Sequence, residues 1–326
     1  MIKHNKTLYF VLALLLFGCK KQPDTPQNFT DRLVFETAIA MQISEEPTYY
    51  NIPRENREPW IEKILLQSTN GTQRSYSADR LSIENELIPF LESMSSVFDH
   101  ITLNTIDTAA LIRSHIPYFN RLLCEESWTF SPDNMTIHKK VQGFSLIYHR
   151  RSEDTTVSKS LFWFFPDTTS THSELLLLCD TIEYNVSIAD ETNSEKWWVN
   201  HIENRHRFQF LSQLIEKLRS GSINCYTDSH CRKKTSWSEY EESTCIHTLP
   251  MIDENGDTIP NTRSQQEESP LTVDNITAIK FIETWQYDPN SLQLIKKVHA
   301  YNPLRAVFDE EGNYKGVEPS IWIKAE

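Results

Sequence analysis

The chain has 326 residues, 39% hydrophobic and 24% charged, a composition typical of a soluble globular protein long enough to form two domains with real cores. Its 45 acidic side chains against 32 basic ones give a net charge of −13, a poor match to phosphodiester backbones. Only seven glycines occur and none are clustered, which excludes the Gly-rich phosphate loop, the dinucleotide fingerprint and the nucleophile elbow.

Residues 1–18 read as an export signal: Lys3 and Lys6 supply the positive end, and 8–17 form an apolar run. That run is shorter than the roughly 20 apolar residues needed to span a bilayer. Leu16-Phe17-Gly18-Cys19 resembles the bacterial lipobox, which would make Cys19 a lipidated N-terminus and 19–27 a polar tether. An ordinary secretory signal that happens to contain a cysteine is the alternative. Cleavage removes two lysines and no acids, taking the net charge to −15. Later apolar runs, 161–165 and 175–179, are of strand length.

Past the tether, apolar residues at Leu33, Val34, Thr37, Ala38 and Met41 predict a helix over 31–43. Pro59 suits the first turn of a helix over 60–66. Segments 122–130 and 135–149 predict paired strands around Ser131-Pro132-Asp133-Asn134, a β-turn sequence. Further on, 208–218 has one apolar face and Gly221 placed to end a helix. Segments 307–308 and 316–323 predict a hairpin through 309–313.

Comparison of the sequence with itself shows a repeat. Residues 128–141 lie over 285–298 without a gap, with Trp128/Trp285, Pro132/Pro289, Lys139/Lys296, Lys140/Lys297 and Val141/Val298 identical. Glu126 over Glu283 extends it upstream. Tyr49-Tyr50 with Asn56-Arg57 lies over Trp197-Trp198 with Asn204-Arg205, Gly71 and Tyr76 over Gly221 and Tyr226, and Phe162-Trp163 over Ile321-Trp322. These blocks keep their order. The fold class expected is α+β: two related modules, 28–170 and 175–326, each of N-terminal helices followed by an antiparallel meander sheet.

Candidate chemistry is sparse. Trp128 and Trp285 suit core anchors, or platforms for a partner. Lys139-Lys140 and Lys296-Lys297 each put one lysine on either strand face, as a solvated edge or as a basic docking spot on an acidic body. Cys225 and Cys231 are spaced to close a disulfide loop in an oxidising compartment. Free thiols, or zinc held among Cys225, His230, Cys231, Cys245 and His247, are the alternatives, although two close ligand pairs at finger spacing are absent. Cys124 and Cys179 lie in apolar runs and read as buried hydrophobes. Asp253-Glu254-Asn255-Gly256-Asp257 is a hairpin turn rather than a calcium loop, because its glycine falls too early and the closing glutamate is missing. No spacing supports a catalytic triad, and no catalytic residue, metal ligand or cofactor is expected.

The repeated blocks also carry a family resemblance. Glu46-Pro47-Thr48-Tyr49-Tyr50 followed by Glu55-Asn56-Arg57, the segment from Gly221 to Thr227, and the stretch from Ile282-Glu283-Thr284-Trp285-Gln286-Tyr287-Asp288 to Pro303, then Gly312, Gly316 and Trp322, resemble GldN/PorN proteins. The resemblance implies a non-enzymatic periplasmic part of the gliding-motility and type IX secretion machinery of Bacteroidetes. Its expected partners are a GldK/PorK-like outer-membrane lipoprotein or a GldM-like component. Two departures are visible: Cys19 suggests that this chain carries its own anchor, and Asn302-Pro303 and Lys296-Lys297-Val298 stand where the family has Ala-Pro and an arginine-rich strand. The expected function is that of a lipid-anchored adaptor on the periplasmic face of the outer membrane. The alternative is a lipoprotein that binds a glycan or other small ligand through Trp197-Trp198 or Trp163.

Overall fold

The computed structural model describes residues 25–40, 52–70, 76, 87–99, 107–152, 154–166, 174–189, 202–252, 258–267, 271–309 and 311–325. Cys19, Tyr49-Tyr50, Trp197-Trp198 and the turn 253–257 lie outside them.

Strand β1 (Gln27–Ala38) opens the first half. Helices α1 (Arg54–Thr69), α2 (Leu87–Asp99) and α3 (Thr108–His115) follow, then β2 (Phe119–Phe130), β3 (Ile137–Arg151) and β4 (Thr156–Phe164). These strands form one antiparallel sheet in the order β1-β2-β3-β4. The second half starts with β5 (Leu176–Ser187) and helix α4 (Asn204–Arg219). Next come β6 (Cys225–Tyr226), β7 (Lys234–Thr235), helix α5 (Trp237–Cys245) and a separate hairpin, β8 (Ile246–Ile252) with β9 (Thr258–Glu267). The half closes with β10 (Ile276–Tyr287), β11 (Leu294–Phe308), β12 (Tyr314–Pro319) and β13 (Trp322–Lys324). Its sheet runs β5-β10-β11-β13-β6-β7, with β12 also on β11. The fold is α+β, with helices ahead of an antiparallel meander in each half.

Two local expectations are corrected. Residues 31–43 do not start with a helix: Gln27–Ala38 is a strand paired along β2. The apolar pattern fits both periods over so short a run, and the ladder with β2 buries Leu33 and Phe35 in the core. Pro59 lies inside α1 rather than in its first turn, because the helix begins at Arg54 after Pro53. Pro53 itself is free to precede the helix, since a residue there has no intrahelical N–H bond to lose.

The two halves repeat each other in their hydrogen-bond register. In β2–β3, Trp128 faces Lys139, Glu126 faces Val141, and a bulge separates that pair from Glu125–Gly143. In β10–β11, Trp285 faces Lys296, Glu283 faces Val298, and the bulge falls between that pair and Ile282–Ala300. Every partner is displaced by the same 157 residues as the sequence match. Met135 and Leu292, ending the two turns, both take positive φ, at 59° and 58°. Tyr76 bridges to Trp163 as Tyr226 pairs with Trp322. A bulge and a left-handed residue are specific backbone choices, so their repetition at one offset is more telling than repeated strands alone.

Each half lends its helix to the other. Phe210 of α4 stacks on Phe29 of β1, with centroids 4.3 Å apart, and meets Phe130 of β2 at 5.1 Å. In return, Asn56 of α1 donates to the Leu178 carbonyl of β5 at 3.1 Å, and Trp60 packs beside Tyr287 of β10. One continuous hydrophobic cluster therefore contains residues of both sheets and both helices. Phe210→Ala should cost about 3–5 kcal/mol, because it opens a cavity in that shared core. Thermal unfolding followed by near-ultraviolet and far-ultraviolet circular dichroism should show both signals moving together to a lower midpoint.

Candidate functional site

The sequence places glutamate, tryptophan and lysine on the inner face of each sheet by strand parity. Glu126 and Trp128 are two residues apart on β2, so they share a face, and the register sets Lys139 of β3 beside Trp128. The same holds for Glu283, Trp285 and Lys296. In each half the indole N–H donates to the carboxylate two residues back: Trp128 Nε1 to Glu126 at 2.6 Å, and Trp285 Nε1 to Glu283 at 2.7 Å.

The lysines cross over. Lys139 Nζ lies 2.7 Å from Glu283, and Lys296 Nζ lies 2.6 Å from Glu126, so each half supplies the counterion of the other. All four charged side chains are fully enclosed. The ammonium groups rest on aromatic faces as well: Lys139 lies 4.4 Å from the Trp128 ring centre and 3.1 Å from that of Phe281, and Lys296 lies 4.0 Å from that of Trp285. Tyr184 of β5 bridges, accepting from Lys139 at 3.1 Å and donating to Glu283 at 2.7 Å. Lys296 also donates to Cys124 Sγ at 3.2 Å. The cluster is neutral as a whole, two cations against two anions.

Burial and pairing oppose each other at these groups. Burial lowers the Lys139 ammonium below its ordinary value, with Glu283 offsetting part of the effect. At Lys296 burial acts the same way, but Cys124, Glu126 and Glu283 outweigh it and hold the ammonium above its usual range. Burial alone would raise Glu283, yet Lys139 and Lys296 hold it below the ordinary carboxylate value. Burial pushes the Cys124 thiol up to about 12 and Tyr184 well above its usual range, so both stay neutral hydrogen-bonding groups.

Trp128, Trp285, Lys139 and Lys296 therefore turn their side chains inward, away from any docking surface, and the two lysines are not a solvated edge. Lys140 and Lys297 are the ones that face solvent. The repeated Glu-x-Trp with a lysine eleven residues after the tryptophan was the available signal, set on strands whose other inward residues are apolar. Cys225 and Cys231 are free thiols rather than a disulfide. Cys225 joins the main core and donates to the Thr235 carbonyl, whereas Cys231 packs beside Ile282, Ala300 and Trp322 in a separate cluster, so the two sulfurs serve different layers. The buried Asn302 accepts from the backbone N–H of Ser320 at 2.8 Å, where the chain passes from β12 to β13.

Two other features were open to a chemical reading. Ser95 bonds His115 Nε2 at 2.8 Å, and His115 Nδ1 lies 3.2 Å from the Tyr148 hydroxyl. All three are buried, and they tie α2 and α3 to β3. A nucleophile needs a substrate beside it, and this serine faces the helix–sheet interior. On the outer face of the first sheet, a groove of about 530 Å³ is floored by Val34, Leu123 and Ile147 and walled by Trp163 and Phe165. Among the described residues no three His, Cys, Asp or Glu side chains converge as metal ligands, and no helix is long and apolar enough to cross a membrane.

Removing one member of a buried, crossed pair strands its partner's charge. Lys139→Met and Lys296→Met should each cost about 3–5 kcal/mol in denaturant unfolding, far more than Lys140→Met or Lys297→Met. The depressed carboxyl of Glu283 also has a pH signature. Its stabilisation is complete above the unfolded carboxylate value of about 4.5 and is lost as pH falls through the lower folded value. Wild type should therefore lose stability more steeply than Glu283→Gln below about pH 4.5, as read by urea midpoints across a pH series.

Residues 171–324 match the model of the family described as "Gliding motility associated protein GldN". The match covers the whole second sheet, including the Glu283-Trp285-Lys296 unit. No curated protein matches the chain. Over 171–324, which holds the second sheet and its charged core unit, the chain is therefore similar to GldN.

Proposed function

We propose that this protein is a non-enzymatic, lipid-anchored adaptor on the periplasmic face of the outer membrane, serving gliding motility or type IX secretion through protein–protein contact. The observation that carries the reading is the GldN match over 171–324. The lipobox-like Leu16-Phe17-Gly18-Cys19 supports the anchor, and Lys20 to Pro26 would be its tether. Two or three acyl chains on Cys19 give stable attachment where one would be marginal. A rigid body welded from two halves suits a spacer that transmits position rather than a catalyst. A GldK/PorK-like lipoprotein or a GldM-like component is the partner that the family suggests.

A second reading has one specific feature in its favour. The groove beside Trp163 has an aromatic wall and ion-paired flanks, Arg32 with Glu125 and Glu36 with Arg121, which suit a neutral ligand such as a glycan.

In-cell crosslinking and affinity capture of the tagged full chain, read by mass spectrometry, separates the two. Recovery of GldK-like or GldM-like proteins is the expected result. Recovery of a polysaccharide-uptake system, with tryptophan fluorescence that responds to oligosaccharides, would overturn it in favour of the second reading. Cys19→Ser should move the protein from the membrane to the soluble envelope fraction; an unchanged distribution would sink the anchor.

A further inference from the structure

The hairpin between β11 and β12 carries two large aromatic side chains into solvent. Phe308 and Tyr314 are cross-strand partners at the base of its turn, 55% and 45% exposed, with ring centroids 6.0 Å apart in an edge arrangement. The turn holds them in place. Asp309 accepts from the backbone N–H groups of Glu311 and Asn313 and from the Asn313 side chain, Lys315 lies 3.2 Å from it, and Gly312 takes φ 82°.

The fold itself does not call for this pair. At the positions 157 residues earlier, the matching hairpin of the first half has Arg151 and Val157, and it closes with a short Ser152–Thr155 bond. Aromatics exposed side by side on a pre-ordered turn have the chemistry of interface anchors, since little side-chain freedom remains to be lost on binding. The surroundings are acidic. Residues 305–318 carry four carboxylates against two cations, and those cations are engaged within the hairpin, Lys315 with Asp309 and Arg305 with Glu318. An acidic tip is repelled by an anionic lipid surface and attracted by a basic protein rim.

We propose that the β11–β12 hairpin is a docking element that inserts Phe308 and Tyr314 into an apolar slot rimmed by lysine or arginine on a protein partner. This rests on the adaptor reading above and names the surface through which it works.

The test is photo-crosslinking in cells with the full chain, carrying benzoylphenylalanine at position 308 or 314, or at the exposed Phe208 of α4 as control. Adducts at 308 and 314, absent at 208, should map to a partner segment containing apolar and basic residues. Phe308→Ser with Tyr314→Ser should weaken capture of that partner at least about tenfold while the thermal midpoint stays at the wild-type value. Glu311→Lys, which leaves the rings in place, should weaken it too and reduce its salt sensitivity. Adducts to lipid, to a second copy of this chain or to an acidic surface would overturn the proposal, as would equal adducts at 208. If wild type captures its partners and the double variant does so equally well, the hairpin proposal fails alone. If wild type captures none, the adaptor reading fails with it.

Discussion

Two enclosed lysine–glutamate pairs, exchanged between the halves of the chain, constrain everything else in this structure. Taking four charges out of water costs several kcal/mol per ion, and only close pairing with further hydrogen bonds makes such a site tolerable. Here each carboxylate has an ammonium from the opposite sheet and an indole N–H from its own. Neither half can satisfy its own lysine and glutamate in this arrangement, because each ion finds its counterion across the interface. The hydrophobic contacts point the same way, with each half's helix packed on the other's sheet. An apolar core would tolerate small slips between the sheets; an exchanged set of short ionic contacts fixes their relative position.

The two pairs have diverged around a common plan. Lys139 has the Tyr184 hydroxyl and the Phe281 ring beside it. At the corresponding places around Lys296 stand the Phe35 ring, 5.2 Å away, and the Cys124 sulfur. The second half therefore lends its lysine partner-site a hydroxyl that the first half lacks, and the thiol takes up the space of a ring. Phe35 and Tyr184 stack on one another at 5.9 Å, next to both pairs. Halves that each take their counterion from the other can differ in such details while the charges stay balanced, and the larger aromatic set lies within the GldN match.

Much of this was legible in the sequence, for identifiable reasons. A repeat with a constant offset of 157 carries its register with it, so the turns at 131–134 and 288–291 and the strand pairs around them followed from the alignment. Helix α4 was readable because a long one-sided apolar face has only one period that fits it. Segment 31–43 was not, since its few apolar residues satisfy either period and only the ladder with β2 decides. The lysines misled for a deeper reason. Local pattern assigns a lysine to solvent, and a counterion 144 residues away leaves no local trace. What did carry the information was the repetition of glutamate, tryptophan and lysine together. The cysteines misled because a six-residue spacing says nothing about which layer each sulfur faces.

The exchange itself is open to direct measurement by double-mutant cycles in denaturant unfolding, with Lys139→Met combined in turn with Glu283→Gln and with Glu126→Gln. The structure requires a coupling of at least about 2 kcal/mol between Lys139 and Glu283, and a clearly smaller one between Lys139 and Glu126 of the same half. Stronger coupling within the half than across it would contradict the exchanged arrangement, and with it the view of the two halves as a single welded body.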